Sequence, residues 1–427
     1  MRGVAGSEVT AELAVAVGHA AAVAAQATRP QVLVVRDTRD SGPMLASAVA
    51  AGVAQGGGDA WIAGVLPTPA ASVLVRRHGL DLAAVVSASH NPWRDNGIKL
   101  FAADGTKLSD ELEAEVERLI AAGLGGHSEV GRIRTLQNAL DDYLRELATA
   151  FPVELGGRRV ILDCANGATY RAAPAAFERR GAEVETIAAA PDGRNINEGC
   201  GSTAPSMLAA RVREVGGDIG FAFDGDGDRV IAVDRAGVVR DGDEMLALVA
   251  ADLAARGVLG GGVVVTVMSN YGFHEAMAAA RIEVATTPVG DRHVTAELAR
   301  RGWKLGGEQS GHLIWTDAGR TGDGIAAALL VMSALGDREL ADAIPMRKLP
   351  QRLVNVRVSG HAALGAAPAV EEAVARESAA LNGRGRILLR PSGTEPVVRV
   401  MVEAPTAEEA DGVAGRLAAV VARELGS

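Results

Sequence analysis

Ile219–Asp234 reads IGFAFDGDGDRVIAVD. Two apolar runs of strand length flank a loop in which carboxylates alternate with glycines. The same design occurs twice more, in Ala83–Phe101 (AAVVSASHNPWRDNGIKLF) and Lys304–Trp315 (KLGGEQSGHLIW). Each time an apolar strand runs into a polar, glycine-containing loop and the chain then turns back into a strand. The segments ahead of these three are also alike. Gln31–Val35 (QVLVV) leads through a polar loop, RDTRDSG, into an Ala-rich helix and then a strand ending in a turn, WIAGVLPTP. Val160–Asp163 (VILD) leads through CANGA into a helix and the strand VETIAAAPDG. Val263–Met268 (VVVTVM) leads through SNYG into a helix and the strand IEVATTPVGD. Runs of β-branched residues alternating with helical spacing predict βαβ units on a parallel or mixed sheet.

Open sheets of this kind bind ligands at strand ends, so three such loops are expected to face one cleft. Two acidic helical stretches, Ser109–Ala122 and Leu136–Ala150, close the first domain. From about Ile344 the rhythm changes: LVNVRV, ILLR and VVRVMVEA are strands, and Thr406–Leu425 is a helix with acidic residues in its first turn. The expected architecture is α/β, with three similar βαβ-type mixed-sheet domains and a smaller C-terminal α+β domain around one central cleft. Its boundaries fall at 1–150, 151–243, 244–345 and 346–427.

Length and charge narrow the function. A chain of 427 residues exceeds one ordinary core. The net charge of −10 gives no electrostatic footprint for nucleic acid or an anionic membrane. Groups that bind an anionic ligand must therefore be local. Cys164 and Cys200 are the only cysteines, which excludes a disulfide framework or a structural zinc site. The Ala- and Val-rich stretch Met1–Thr28 is broken by Glu8, Glu12 and His19, unlike a secretory signal. Val9, Leu13 and Val17 instead mark an amphipathic helix, and no apolar run is long enough to span a bilayer. The expectation is a cytoplasmic enzyme, monomer or homodimer.

Asp224, Asp226 and Asp228 lie too close in FDGDGDR to share a loop without full solvation or a cation. Glycine between them lets a tight loop turn all three inward as the hard oxygen ligands that Mg²⁺ prefers. An exposed acidic turn is the plainer alternative. A calcium EF-hand fails, because its sixth and twelfth positions would be Arg229 and Arg235. Ser89, in SASHNP at the end of the strand AAVV, fits a phosphoryl carrier, a hydrolase nucleophile or a turn-capping hydroxyl. The elbow GxSxG is absent, and adjacency in sequence does not make His90 its base. Opposite a carboxylate-bound metal, Ser89 reads as a phosphate acceptor.

Lys99 is one of only four lysines in an arginine-rich chain, which suits proton transfer, a task arginine cannot perform; an ordinary surface lysine is the alternative. Arg390, Ser392, Gly393, Thr394 and Arg399 in RPSGTEPVVR combine backbone N–H groups, hydroxyls and guanidinium forks suited to phosphate. Glu308, Ser310 and His312 in GEQSGH offer polar groups for sugar hydroxyls.

In order along the chain, RDTRDSG, GVLPTP, SASHNPWRDNGIK, CANGA, CGSTAP, FDGDGDR, TVMSN, PVGDR, GEQSGH, TGDG and RPSGTEPVVRVMVE together resemble the α-D-phosphohexomutase superfamily. The resemblance implies that Ser89 is the phosphoserine, and that its phosphate with Asp224, Asp226 and Asp228 holds Mg²⁺. It further implies proton transfer by Lys99 and His312 and charge support from Arg229. Glu308 and Ser310 would read the sugar, while Arg390, Ser392, Gly393, Thr394 and Arg399 hold the substrate's non-reacting phosphate. Gln309 points to the glucosamine branch, since GEMSGH is usual in the mannose/glucose branch. That branch implies a hexosamine phosphate substrate, glucosamine 6-phosphate, isomerised to the 1-phosphate through glucosamine 1,6-bisphosphate for amino-sugar precursors of the cell wall. Two alternatives stay open: a mannose/glucose phosphate mutase, and a sugar-phosphate-binding protein without turnover.

Superfamily members begin with a short strand and a GTDGIRG-like loop, whose arginine lies near the serine. This chain begins Met1-Arg2-Gly3, so Arg2 takes that arginine's place on a terminus expected to fray. A start codon assigned too late is the expected cause, and a chain with impaired activity is the alternative. Ala204, His293 and Val35 depart from the common pattern in smaller ways and bear on substrate contacts.

Overall fold

The computed structural model describes residues 1–123, 125, 129–359, 367–391 and 396–426. These residues fall into two compact units, Met1–Met268 with Ile282–Pro345, and Ser269–Arg281 with Met346–Ser427. The first unit carries three sheets.

Its first sheet has the order β1-β5-β4-β2-β3-β6, built from β1 (Arg2–Val4), β2 (Gln31–Arg36), β3 (Asp59–Val65), β4 (Leu82–Val86), β5 (Asp95–Ala102) and β6 (Ile133–Thr135). The second is β11-β10-β9-β7-β8, with β7 (Arg159–Asp163), β8 (Glu183–Ile187), β9 (Ile219–Phe223), β10 (Val230–Asp234) and β11 (Val239–Arg240). The third is β13-β12-β14-β15, with β12 (Val263–Thr266), β13 (Val284–Thr287), β14 (Leu305–Gly307) and β15 (Leu313–Trp315).

One pattern underlies all three. The first strand of each repeat (β2, β7, β12) lies centrally, with parallel neighbours on both sides. Such a strand is covered on both faces and needs a continuous apolar run; Val32–Val35, Val160–Leu162 and Val263–Val265 supply it, all fully buried. The next strand but one (β4, β9, β14) then pairs antiparallel with its successor (β5, β10, β15). That reversal forces a tight loop at the carboxyl end of a parallel strand. These are the loops that bear Ser89, the three aspartates and GEQSGH.

Helices start where the sequence supplies caps. Asp241 and Glu244 form a capping box at Gly242–Ala255, and the Asp323 side chain accepts from Ala326 N–H at the start of Gly324–Leu335. Asp323 is also bound by the Tyr143 hydroxyl, at 2.8 and 3.0 Å. Burial raises the Asp323 carboxyl from the usual 3.8 to about 6. The folded protein therefore holds this proton more tightly than the unfolded chain, so the group's contribution is full below pH 3.8 and lost as pH rises through about 6. At about 1.4 kcal/mol per pKa unit, the loss is about 3 kcal/mol. Asp323→Asn, which keeps a capping oxygen, should gain stability relative to wild type by up to that amount between pH 4 and pH 7. Urea unfolding at both pH values checks it, and a pH-independent difference would contradict it.

The second unit holds the sheet β16-β18-β17, from β16 (Gln351–Arg357), β17 (Arg386–Pro391) and β18 (Val397–Glu403), all antiparallel. Val398, Val400 and Val402 bury one face with Val413, Leu417 and Val421 of the helix Ala407–Leu425 in the same core. The helix Tyr271–Ala279 belongs to this unit. Asn270 accepts from Leu349 N–H and donates to the Leu349 carbonyl (2.9 and 3.0 Å), and Tyr271 N–H donates to Glu403 (3.0 Å).

Several expectations need correction. The first residues do not fray: β1 pairs antiparallel with β5, Arg2 opposite Gly97, and the terminal amine donates to the Ile98 carbonyl at 3.2 Å. The strand expected over VETIAAAPDG ends at Ile187, because Ala188 takes a left-handed backbone (φ 46°). The acidic helix expected from Leu136 starts at Ala139, and β6 occupies Ile133–Thr135 ahead of it. Among the described residues, no helix is long and apolar enough to cross a membrane.

Candidate active site

Ser89 is buried in the β4–β5 loop with a left-handed backbone (φ 55°), an uncommon conformation for a non-glycine residue and one that neighbours must hold. They do. Arg39, with no exposed surface, donates to the carbonyls of Ser89 (2.8 Å), Asn91 (2.8 Å), Asp95 (2.9 Å) and Pro92. Asn197 donates to the carbonyls of Ser89 and Asn91 (3.0 and 3.2 Å). Ser89 N–H donates to Ser87 Oγ (3.0 Å), and Ser87 in turn to Asp37 (2.6 Å), which also pairs with Arg39 (2.8 Å). The hydroxyl so placed donates to Asp224 Oδ2 at 2.6 Å. His90 Nδ1 lies 3.3 Å from it; burial lowers this imidazole's pKa, and Arg229 and Arg2 lower it further.

The β9–β10 loop brings the aspartates to the serine. A Cβ on Gly225 would meet the Ser89 carbonyl at 2.6 Å, and Gly227 has φ 72°, so glycine is required at both. Asp224, Asp226 and Asp228 each place an oxygen within 4.8 Å of the others'. Asp224 Oδ1 accepts from Arg229 N–H at 3.2 Å. Asp226 Oδ2 accepts from Lys99 Nζ and from Thr68 Oγ1, both at 2.6 Å. Lys99, on β5, also lies 3.6 Å from Asp228. Burial opposes the charges of Lys99 and Asp226, but their mutual attraction prevails: Lys99 is held charged and Asp226 well below the usual carboxylate range. Asp224 goes the other way, pushed up by burial and by Asp228 and Asp226.

Asp226 Oδ1 and Asp228 Oδ1 are buried without a hydrogen bond. Buried carboxylate oxygens are costly unless something positive faces them. Three aspartates with converging oxygens, two of which also carry a buried unsatisfied oxygen, fit a divalent cation of the Mg²⁺ type. The residues present fit the group.

The third repeat contributes His312, which is buried. Gly322 N–H donates to its Nε2 at 3.2 Å, and its Nδ1 lies 3.9 Å from Asp228. Arg229 Nε is also 3.9 Å from Asp228. Glu308 accepts from Gly290 N–H (3.0 Å) through Oε1, and Ser310 is exposed at the tip of its loop. Arg2 is exposed on β1, and its charge opposes that of Lys99. Ser89, Lys99, Arg229, His312 and the aspartates are thus linked by direct contacts, whereas Glu308 and Ser310 stand on the neighbouring loop. In the second unit Arg390 and Arg399 stand opposite each other across β17 and β18. Ser392, Gly393 and Thr394 lie outside the described residues.

Asp37, Arg39, Asn197 and Thr68, none of them among the expected site residues, hold the site's loops. The first two sit in RDTRDSG, and a closely spaced Asp and Arg directly after a fully apolar strand was the available signal. Thr68 sits in GVLPTP, whose place in the motif series was its signal, whereas Asn197 lies outside the quoted motifs and carries none.

Four family models match in succession: phosphoglucomutase/phosphomannomutase α/β/α domain I over residues 1–124, domain II over 141–237, domain III over 241–349 and the C-terminal domain over 353–420. A phosphoglucosamine mutase of Moorella thermoacetica is 48% identical over 426 residues, covering 97% of this chain and 96% of that one. One of Mycolicibacterium smegmatis is 46% identical over 439 residues, covering 98% and 96%. Among solved structures, a phosphoglucomutase/phosphomannomutase family protein of Burkholderia thailandensis shares the fold with a TM-score of 0.82 at 23% identity, covering 99% of this chain and 96% of that one. Aspergillus fumigatus N-acetylphosphoglucosamine mutase, solved with GlcNAc-6P and magnesium, gives a TM-score of 0.65 at 22% identity over 84% of this chain and 93% of that one. With four matched domains in order and near-complete overlap with these relatives, this chain belongs to the phosphoglucomutase/phosphomannomutase family.

Proposed function

We propose that the chain is a phosphoglucosamine mutase, which interconverts glucosamine 6-phosphate and glucosamine 1-phosphate through a phosphate carried on Ser89. The observation that carries this reading is a buried serine hydroxyl, held in a left-handed turn, 2.6 Å from one of three converging carboxylates. Substrate choice rests on the full-length relatives named for that reaction and on Gln309 in GEQSGH. The reading places the enzyme in the cytoplasm, as a monomer or homodimer, with domain boundaries at residues 150, 243 and 345.

In the forward direction, the O1 hydroxyl of glucosamine 6-phosphate attacks the phosphorus of phospho-Ser89. The P–O bond to Ser89 breaks as that to O1 forms, leaving glucosamine 1,6-bisphosphate and the free serine. The 6-phosphate is then returned to Ser89 Oγ, releasing the 1-phosphate. Each half-reaction needs a proton taken from the attacking hydroxyl and one given to the departing oxygen. Lys99 and His312 are assigned these transfers; Lys99, held charged, enters as donor and recovers its proton in the opposite half. Arg229, at the Asp228 carboxylate, supports the charge, and Arg2 is assigned to the phosphoserine by its place in the opening motif. A Mg²⁺ held by Asp224, Asp226, Asp228 and the phosphoserine would offset charge on the transferring group. Glu308 and Ser310 are assigned to the sugar, and Arg390, Ser392, Gly393, Thr394 and Arg399 to the non-reacting phosphate. Most of the rate then comes from positioning and electrostatics.

A substrate panel tests the choice of sugar. kcat/KM for glucosamine 6-phosphate should exceed that for glucose and mannose phosphates by at least about tenfold, since a site built to pair with the 2-amino group leaves polar groups unpaired with the others. A preference for mannose phosphate would overturn the assignment.

A further inference from the structure

Asp226 divides its two oxygens between different surroundings. Oδ2 accepts two hydrogen bonds, from Thr68 Oγ1 and Lys99 Nζ, each 2.6 Å long, while the buried Oδ1 accepts none. A carboxylate that turns about its last bond exchanges these oxygens, so whatever grips Oδ2 decides that Oδ1 is the one left for a cation.

The two donors differ in how firmly they can hold. Lys99 carries its charge on a flexible stem with the side chain 16% exposed, and in the proposed reaction it must trade partners to move a proton. Thr68 is the first residue of the helix Thr68–Arg77, flanked by Pro67 and Pro69, and is 2% exposed. It also grips the same aspartate from the main chain: Thr68 N–H donates to the Asp226 carbonyl at 2.8 Å. With the main chains tied together and a β-branched side chain in a buried position, the hydroxyl has little freedom to leave.

We infer that Thr68 is a positioning residue for the cation site. Its hydroxyl holds Asp226 Oδ2 so that Oδ1 stays turned toward the cation while Lys99 exchanges partners. The first repeat thereby completes a cation site whose carboxylates all come from the second. This rests on the cation reading of Asp224, Asp226 and Asp228 given above. Hydrogen-bonding partners that orient a metal ligand are generally worth ten- to a hundredfold in metal affinity.

The test is a calorimetric titration of Mg²⁺ into the full chain, phosphorylated on Ser89 and freed of sugar phosphate, so that the readout is binding and not turnover. Thr68→Val keeps the volume and the main-chain bond and removes only the hydroxyl; it should weaken Mg²⁺ binding by about tenfold. Thr68→Ser, which restores a donor, should bind close to wild type. Thr68→Ala serves as the hydroxyl-free variant should valine fail to fold, as judged by circular dichroism in EDTA. If Asp226→Asn abolishes binding while the hydroxyl-free variant binds like wild type, the positioning role is overturned and the cation site stands. If wild type itself takes up no Mg²⁺, the cation reading falls, and this inference with it.

Discussion

Replacing Ser89 with alanine is expected to lower mutase turnover by at least about four orders of magnitude, with the fold intact. The size follows from the kind of role proposed. A residue that only binds substrate contributes a few hydrogen bonds, but a covalent carrier contributes the pathway itself, and its loss leaves only what binding and electrostatics achieve without it. Alanine removes a single hydroxyl whose hydrogen bond runs to Asp224; the main-chain grip of Arg39 and Asn197 on the loop stays in place. Stability should therefore change little while activity collapses. Coupled assays of glucosamine 1-phosphate formation, with and without added bisphosphate, make the comparison. A variant with near-normal turnover would defeat the carrier role.

Arg39→Met is expected to have the largest effect on stability, about 3–5 kcal/mol. The guanidinium is fully buried against Asp37 and satisfies four carbonyls of the serine loop. Methionine fills much of the volume but leaves Asp37 as an unpaired buried charge and the carbonyls without their donor. Arg39→Lys should rescue only part of the loss, because one ammonium cannot reproduce a planar fork that reaches several acceptors in fixed directions. The left-handed turn at Ser89 should relax as well, so both variants should lose turnover beyond what their instability explains. Urea midpoints and activity measured far below the unfolding transition separate the two effects. Wild-type stability in Arg39→Met would contradict this account of the loop.

The repeat was legible in the sequence for a definite reason. β2, β7 and β12 are covered on both faces, so each needs an uninterrupted apolar run, and such runs are visible without coordinates. Ser89 and the aspartates were legible because glycines and turn residues mark the places where the chain reverses. The antiparallel return of β5, β10 and β15 explains why those loops stand at equivalent points.

What stayed hidden depends on distant contacts. Pairing of β1 with β5 joins residues far apart in the chain and holds a terminus that local sequence would leave loose. The grip of Thr68 on Asp226 and of Asn197 on the serine loop likewise joins different repeats. A threonine between prolines and an asparagine in a turn each have an ordinary local explanation, and nothing in their neighbourhood signals the partner. β8 ends early because one alanine adopts a left-handed backbone, which composition does not announce.

The location of the phosphate on the working enzyme is the most direct test of the carrier step. The full chain should be incubated with Mg²⁺ and glucosamine 1,6-bisphosphate, quenched and digested, and its peptides sequenced by mass spectrometry. One phosphate is expected, on the peptide that contains SASHNP and at Ser89, and radiolabel placed there should pass to the sugar phosphates when excess unlabelled glucosamine 6-phosphate is added before the quench, while the serine itself stays phosphorylated. An active enzyme that carries its phosphate on another residue, or never carries one, would contradict the mechanism at its root.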